Sequence, residues 1–258
     1  MPTDQLRPDV TMIVPTYNER EHLGVLLERI FSACDRDGLT VSVIVVDDNS
    51  LDGTGSVADD WARGGRVQVI HRSGKLGLGS AVLEGFALAD SSVVGVIDAD
   101  LSHPPDLIPV LHRTLERHNL DMVVASRYIG DGGTADWSTR RVVLSKLGCW
   151  LSRPLTPVRD AMSGFFLVRR DRMASFRTVS TGFKIGLEIL VRANVRRVAE
   201  VDYVFVDREA GRSKMSLAEC LRFLKQLMRL YRWSRATSAV QPSHLFVSAP
   251  QRQSVQRA

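Results

Sequence analysis

The chain has 258 residues, of which 44% are hydrophobic, so it can bury a full globular core and is not a disordered polypeptide. Its net charge of +5 favours anionic partners such as phosphorylated ligands, nucleic acid or an acidic membrane surface. The three cysteines form no CxxC pair, which indicates neither a structural zinc site nor a disulfide framework and favours a reducing compartment.

The amino-terminal sequence MPTDQLRPDV has acidic residues and prolines where a signal peptide would have an apolar core. No stretch contains the roughly 20 uninterrupted apolar residues that a membrane-spanning helix requires. We therefore expect a cytoplasmic protein that, if it meets a membrane, lies peripherally on the cytoplasmic face.

Short runs of valine and isoleucine alternate with helical patterns, such as Leu23, Leu26, Leu27 and Ile30, along the first half of the chain. Such runs are typical of buried parallel strands. They predict strands at Val10–Val14, Val41–Val46, Val67–Ile70, Val93–Ile97 and Met122–Ala125. Alternating strands and helices predict a wound, mainly parallel α/β sheet, which we place in one domain over residues 8–207.

Polar sequences follow four of these strands: PTYNERE the first, DDNSLDGT the second, DADLSHPP the fourth and SRYIGDGG the fifth. In wound sheets the ligand site forms at the carboxyl ends of the strands. The four segments are therefore expected to converge on one crevice.

Asp98 and Asp100 end the fourth strand, separated by the small residue Ala99. Alternation along an extended segment directs both carboxylates to the same side. Together they can hold one Mg²⁺ or Mn²⁺ ion, which commonly takes one or two protein carboxylates and completes its shell with water and substrate phosphate. The simpler alternative is a strand-end aspartate followed by Ser102 as a helix cap.

Asp47 and Asp48 end the second strand. As acceptors they suit a nucleobase, because guanine presents two adjacent N–H donors and uracil presents one. The alternative is that both only form the turn that follows.

Several cations are expected near the crevice: Arg127, Arg140, Arg141, Arg208 and Lys214. The planar arginine fork matches phosphate oxygens, so these residues suit a diphosphate. The alternative for each is a solvated surface charge.

Residues 208–235 read as a basic loop followed by an amphipathic helix. Its apolar stripe consists of Leu217, Leu221, Leu224, Met228 and Tyr231, widened by Cys220, Phe223, Leu227 and Leu230. A separate basic stripe consists of Arg222, Lys225, Arg229 and Arg232. This pattern predicts a membrane-interface helix over residues 216–235, the alternative being a helix that packs on the domain. Residues 236–258 are expected to be a flexible tail.

The segments VPTYNERE, VVDDNSLDGTG, KLGLGSA, DADLSHPPDLIP, ASRY, VRDAMSGFFLVRRD, GFKIGLEILVRA and FVDREAGRSK occur in a characteristic order. From about residue 10 to 232 the chain resembles the dolichol-phosphate (polyprenol-phosphate) mannose synthases, which are inverting GT-A glycosyltransferases. The resemblance implies a GT-A fold and transfer of mannose from GDP-mannose to a polyprenyl phosphate, with Mg²⁺ or Mn²⁺ as cofactor. Some members also use a small membrane subunit.

The same resemblance assigns residues by motif. The nucleotide pocket would be lined by Pro15, Tyr17 and Glu19, with Val46 and Asp48 at the guanine. The metal would be held by Asp98, Asp100 and Ser102, with Ala99 also against the substrate; related chains often carry glutamine where this one has Ser102. The diphosphate and the acceptor phosphate would be surrounded by Arg127, Arg141, Arg208 and Lys214. Asp100, Arg127 and Arg141 would carry the catalysis.

Three alternatives remain open from the sequence. The first is the same chemistry with UDP-glucose as donor. The second is a sugar transferase that acts on a soluble hydroxyl acceptor and needs a general base. The third is a catalytically silent nucleotide-sugar-binding subunit. Nucleic acid is not expected as a partner, because the sequence has no recognition motif and no interleaving of basic and aromatic residues.

Overall fold

The computed structural model describes residues 7–135, 137–174, 176, 184–193, 195–206, 217–237 and 241–248, with the side chains of 217–219 left out. The strands of the main sheet are β1 Val10–Thr16, β2 Val41–Asp47, β3 Val67–His71, β4 Val93–Val96, β5 Met122–Ser126, β7 Phe166–Arg169, β8 Arg197–Asp202 and β10 Ser243–Val247. A second, two-stranded sheet pairs β6 (Gly133–Thr134) with β9 (Val204–Phe205).

The helices are α1 Arg20–Arg36, α2 Thr54–Ala62, α3 Leu78–Leu88, α4 Ile108–Arg117, α5 Thr139–Ser152, α6 Ile185–Arg192 and α7 Leu217–Thr237. Short 3-10 turns lie at Pro105–Leu107 and Arg170–Met173. Alternation along β1 sends Met12 toward the cluster formed with α1, α2 and α4, and Ile13 toward the cluster formed with α3 and α6. The helices therefore cover both faces of the sheet.

The main sheet has the order β10-β8-β5-β7-β4-β1-β2-β3, and all its pairs are parallel except those of β7 with β4 and β5. The predicted α/β class with a mainly parallel sheet is confirmed, and each of the five predicted strands is present. The chain order reverses at β1, which pairs with β2 on one side and β4 on the other. Wound sheets bind ligands at the carboxyl ends of strands beside such a reversal.

The prediction of a flexible tail over residues 236–258 is wrong for one segment. Residues 243–247, assigned to a flexible tail, form β10 and pair in parallel with β8. The sheet domain therefore does not end at residue 207. The hydrogen bonds of an open sheet edge stabilise this short strand, and its own sequence contains too few residues to show a pattern.

Helix α7 is present where the amphipathic helix was predicted, and its apolar residues divide between two environments. Leu227 and Leu230 are buried against Leu187 and Val191, in a cluster that also contains Phe223, Tyr231 and Trp233 at its margin. Among the α7 side chains that the structure describes, the large apolar ones that are exposed are Leu221, Leu224 and Met228. Packing on the domain therefore uses only one side of the helix. Among the described helices, none is both long and apolar enough to cross a membrane.

Candidate active site

The two aspartates after β4 lie at the reversal point of the sheet, each held by a neighbouring polar residue. The side chain of Asp98 is 36% exposed, and its Oδ2 lies 3.3 Å from Nε2 of the buried His103. Asp100 Oδ1 accepts hydrogen bonds from the backbone N–H of Ser102 at 3.1 Å and from the Ser102 hydroxyl. Leu101 between them has φ 61°, a left-handed conformation that leucine rarely adopts, and this turn brings Ser102 back onto Asp100.

The surroundings of these carboxylates suit a hard divalent cation. A Cβ on Gly164 would lie 2.9 Å from Asp98 Oδ2, so a larger residue there would displace that carboxylate. Among the described residues no group of three or more His, Cys, Asp or Glu could hold a metal ion alone. A cation here would depend on Asp98, Asp100 and substrate oxygens, the arrangement that Mg²⁺ and Mn²⁺ use with phosphates. Ser102, the predicted third ligand, supports Asp100 by donating to it.

The two aspartates after β2 have different roles. Asp47 accepts hydrogen bonds from the Thr16 hydroxyl at 2.9 Å and from the Ser50 N–H and hydroxyl at 3.0 and 2.6 Å, which are turn contacts. Asp48 is 6% exposed and accepts hydrogen bonds from the Arg72 guanidinium and from the Gly77 N–H. The turn alternative thus describes Asp47, whereas Asp48 is fixed by a buried cation.

Arg72 is a functional candidate that sequence reasoning missed. Its side chain is 2% exposed, and besides Asp48 it donates to the Ser80 hydroxyl at 2.7 Å and the Gly77 carbonyl at 3.3 Å. Arg72 directly follows β3. Its position at the carboxyl end of a strand could therefore have identified it as a candidate site residue. Arg72 joins the predicted base site to the glycine loop that begins α3.

The other predicted nucleotide residues follow β1 or end β2. Pro15 and Tyr17 are partly exposed at the end of β1, and Lys75 Nζ lies 3.7 Å from the centre of the Tyr17 ring. The backbone N–H of Glu19 donates to the Thr54 hydroxyl at 2.9 Å. The Val46 side chain is fully buried in the core, so only its backbone can meet a nucleotide.

Arg127, at the end of β5, is held by a buried carboxylate. Asp160, fully buried, accepts hydrogen bonds from Arg127 Nε and Nη2 at 2.7 Å each and from the Arg127 backbone N–H at 2.9 Å. Burial alone would lower the pKa of this guanidinium, but Asp160 more than offsets that effect and raises it. Arg127 therefore carries a fixed positive charge in a fixed orientation.

Arg127 and Arg141 meet at one pair of aromatic rings. The Cζ atoms of Arg127 and Arg141 lie 5.2 and 3.9 Å from the ring centre of Trp137, and 5.6 and 5.9 Å from that of Phe205. Guanidinium groups at such distances interact favourably with aromatic faces. The structure thus brings together two arginines that are separated in sequence by the Trp137 segment, and Trp137 itself was not predicted.

His103 links this aromatic pair to Asp98. Its ring packs edge-on against Phe205, with centres 5.4 Å apart, and its Nδ1 lies 2.9 Å from the Tyr203 hydroxyl oxygen. Its other nitrogen is the one that faces Asp98. Asp98, His103, Phe205 and the two arginines are therefore joined by contacts into one cluster, in which His103, Phe205 and Arg127 are buried.

Lys184, which sequence reasoning also missed, lies at the start of α6, close to Asp98 and Arg127. Its Nζ donates to the Met162 carbonyl at 3.3 Å, and its ammonium interacts electrostatically with Arg127, Asp98 and Asp160. Burial and, to a smaller extent, Arg127 lower its pKa, while Asp98 and Asp160 oppose the shift. The segment GFKIGLEILVRA contributed to the family resemblance, but no role was assigned to its lysine. The predicted cations Arg208 and Lys214 lie outside the described residues.

Sequence comparison places the chain among sugar transferases. A family model described as glycosyl transferase family 2 matches residues 11–180. The chain is 37% identical over 228 residues to a dolichol-phosphate mannosyltransferase of Pyrococcus furiosus, covering 87% of this chain but only 64% of that protein. It is 36% identical over 234 residues to the dolichol-phosphate mannosyltransferase of Saccharomyces cerevisiae, covering 86% and 87% of the two chains.

Solved structures share the fold at lower sequence identity. A mannosyltransferase from Pyrobaculum calidifontis, in complex with GDP-Man and Mn²⁺, superposes with a TM-score of 0.60 at 21% identity, over 90% of this chain and 65% of that one. Mannosyl-3-phosphoglycerate synthase from Rubrobacter xylanophilus gives a TM-score of 0.65 at 22% identity, over 91% and 76%. These likenesses confirm the predicted GT-A type of fold.

Proposed function

The chain belongs to glycosyltransferase family 2, and we propose on this basis that it transfers mannose from GDP-mannose to a polyprenyl phosphate with inversion. The observation that supports the chemistry is the series of contacts that joins Asp98, one of the two strand-end carboxylates, through His103 and Phe205 to Arg127 and Arg141. The similarity to dolichol-phosphate mannosyltransferases, at 35–37% identity, supports the choice of donor and acceptor. The product would be a β-linked polyprenyl-phosphate mannose.

The charges of the two arginines and the two strand-end aspartates support this reaction. As the bond from mannose to GDP breaks, negative charge grows on the diphosphate, and Arg127 and Arg141 offer donors where it develops. A divalent ion held by Asp98 and Asp100, Mg²⁺ or Mn²⁺, would neutralise part of the same charge. The acceptor phosphate is already an anion at neutral pH, so it needs no general base to attack the anomeric carbon from the opposite face. Asp48, oriented by Arg72, would accept the guanine N–H groups.

Two helices support attachment to a membrane surface. Leu221, Leu224 and Met228 of α7 are 60, 43 and 59% exposed. On α5, exposed apolar side chains at helical spacing are Val143, Leu147 and Trp150. Exposed basic residues of α7 are Arg222, Lys225, Arg229, Arg232 and Arg235. An apolar face flanked by cations fits a surface of anionic lipid.

We place this contact, through residues 216–235, on the cytoplasmic face, where the three free cysteines would stay reduced. A small membrane subunit is an additional proposed partner.

Leu224→Glu is expected to reduce binding to vesicles that contain anionic phospholipid by about tenfold. The variant loses the favourable free energy of moving one leucine side chain from water into lipid, and the anionic headgroups repel the new carboxylate. Co-flotation of the purified protein measures the bound fraction. Leu88→Glu is the matched control, since Leu88 is 47% exposed against 43% for Leu224 and lies on α3. Equal losses in both variants, or none in Leu224→Glu, would refute attachment through α7.

The activity is tested by incubating the protein with radiolabelled GDP-mannose, a polyprenyl phosphate in detergent, and Mg²⁺ or Mn²⁺. We expect organic-extractable label that disappears when a chelator is added. Label from UDP-glucose but not from GDP-mannose would favour the alternative donor. Nucleotide binding without transfer from either donor would favour a silent subunit.

A further inference from the structure

A buried glutamate lies in the middle of β8, the strand between β5 and β10 in the main sheet. Glu200 is fully buried, although the sequence around it, VAEV, is otherwise apolar. A carboxylate in such a place is costly unless it has hydrogen-bond donors, so its partners indicate its use. Its Oε1 accepts from the backbone N–H of Asp160 at 2.9 Å, and its Oε2 from that of Arg159 at 2.8 Å. Glu200 therefore fixes the backbone of the loop between α5 and β7, residues 153–165, which we call the α5–β7 loop.

The α5–β7 loop holds the arginine that is proposed to meet the leaving diphosphate. The Asp160 carboxylate accepts three hydrogen bonds from Arg127, from its backbone N–H, Nε and Nη2. Asp160 is thus held by Glu200 through its backbone and holds Arg127 through its side chain. A shift of its backbone would carry the carboxylate with it and turn the guanidinium. Misplacing a catalytic group by about 1 Å can lower a rate about a hundredfold.

Strand β10 reaches this connection from the edge of the sheet. The His244 side chain is 11% exposed, and its Nε2 lies 2.9 Å from Glu200 Oε2, the oxygen that accepts the Arg159 N–H. Two residues later on the same face of the strand, the centre of the Phe246 ring lies 4.5 Å from Arg159 Cζ and 4.3 Å from the centre of the His244 ring. β10 therefore contacts both the carboxylate that holds the loop and a side chain of the loop itself.

The chain that leads into β10 also contacts the beginning of this loop. The Tyr231 hydroxyl of α7 donates to the Leu151 carbonyl at 2.5 Å, and Gln241 Nε2 donates to the Pro154 carbonyl at 2.8 Å. These bonds hold the end of α5 and the first residues of the loop. The contacts of β10 lie at its other part, next to Asp160.

From these contacts we propose that β10 is a positioning element of the catalytic centre, in which His244 acts through Glu200 and Asp160 on Arg127. We call this series of four residues the β10 path. The role rests on the proposed function, because it explains how Arg127 is aligned for that reaction. If His244 only stabilised an edge strand, its loss would loosen β10 without a selective effect on Arg127.

Hydrogen–deuterium exchange of His244→Leu tests the β10 path independently of the reaction. Leucine keeps the bulk of the side chain but removes the imidazole beside Glu200. The backbone N–H groups of Arg127, Arg159 and Asp160 are hydrogen-bonded along the path. Their exchange is expected to accelerate about tenfold, the effect of weakening a hydrogen bond to a charged group. His244→Gln, which carries an N–H donor at a similar distance from the backbone, should restore most of the protection, and β1 and β2 should exchange as in the wild type.

Transfer kinetics test whether the β10 path serves catalysis. His244→Leu is expected to lower kcat/KM for GDP-mannose about tenfold, and His244→Gln to recover most of it. In an Asp160→Ala background, where the path is already broken, His244→Leu should cause no further loss of transfer. A histidine that only stabilises the fold would lower transfer by the same factor in both backgrounds, and that result would refute the positioning role.

Leu245→Ala is the matched control, because Leu245 is 37% exposed, lies next to His244 on β10 and projects to the other face of the strand. Its kinetics and the exchange at Arg127 should match those of the wild type. Wild-type exchange at Arg127 in a folded His244→Leu protein would overturn the proposal, as would equal acceleration in β1 and β2. If exchange changes as expected but the wild type transfers no mannose, the proposed reaction is wrong and the path from β10 to Arg127 is supported.

Discussion

Asp100→Asn is expected to lower the rate of mannosyl transfer about a thousandfold. A metal ion that neutralises a leaving diphosphate stabilises the transition state by several kcal/mol, and each 1.36 kcal/mol changes the rate by about a factor of ten. Asparagine keeps the shape of the side chain and can still accept the Ser102 hydrogen bonds, but it lacks the charge that binds a divalent ion. Asp100 is partly exposed, so the melting temperature should hardly change. Steady-state kinetics and titration of Mn²⁺ into the GDP complex measure the two effects.

The control for this variant is Asp60→Asn, at a surface aspartate whose side chain is 65% exposed and bonded only to Arg63 in a surface ion pair. Its kinetics and Mn²⁺ affinity should match those of the wild type. Transfer by Asp100→Asn within tenfold of the wild type, with Mn²⁺ affinity retained, would show that Asp100 is not a metal ligand.

The parts of the fold that depend on local pattern were predictable. β1, β2, β4 and β5 are almost entirely buried and rich in valine or isoleucine, and β3 (VQVIH) keeps this composition although it is only partly buried. The composition of each strand therefore identifies it without knowledge of its neighbours. The polar residues that follow them, including Asp98 and Asp100, could then be placed at one edge of the sheet by topology alone.

The remaining strands depend on partners far away in the sequence. β7 has four residues and lies antiparallel between β4 and β5, an order that its own sequence FLVR does not encode. β10 is a short edge strand whose pairing with β8 is the contact that orders it. In α7 the apolar period was recognised, but only the position of α6 decides that Leu227 is buried while Leu224 is exposed.

The same separation explains which site residues were missed. Tyr203 and His103 are 100 residues apart in the chain, and Arg72 and Asp48 are 24 apart. Motifs identify groups that are proposed to touch a ligand, such as Asp48, because the chemistry of the ligand restricts their residue type. The residues that orient them, such as Arg72, are defined by a contact across the fold and have no fixed spacing.

Asp160→Ala is expected to lower the free energy of unfolding by about 3–5 kcal/mol, because it leaves the Arg127 cation buried without its partner. The same change should raise the KM for both substrates, since three hydrogen bonds from Asp160 hold Arg127 in place. Urea unfolding and kinetics measure the two effects. Asp106→Ala is the control: it breaks an ion pair with Arg36 between half-exposed side chains, which should cost about 1 kcal/mol or less.

The double variant Asp160→Ala with Arg127→Met separates the structural part of this pair from its functional part. Removing both charges leaves no unpaired ion in the interior, so the double variant should unfold at a higher urea concentration than Asp160→Ala alone. Its transfer rate should nevertheless be lower than that of Asp160→Ala, because the guanidinium that stabilises the leaving diphosphate is then absent. Recovery of both stability and activity would mean that Arg127 serves only the fold. Recovery of stability without activity is the result expected if Asp160 is a positioning residue for Arg127.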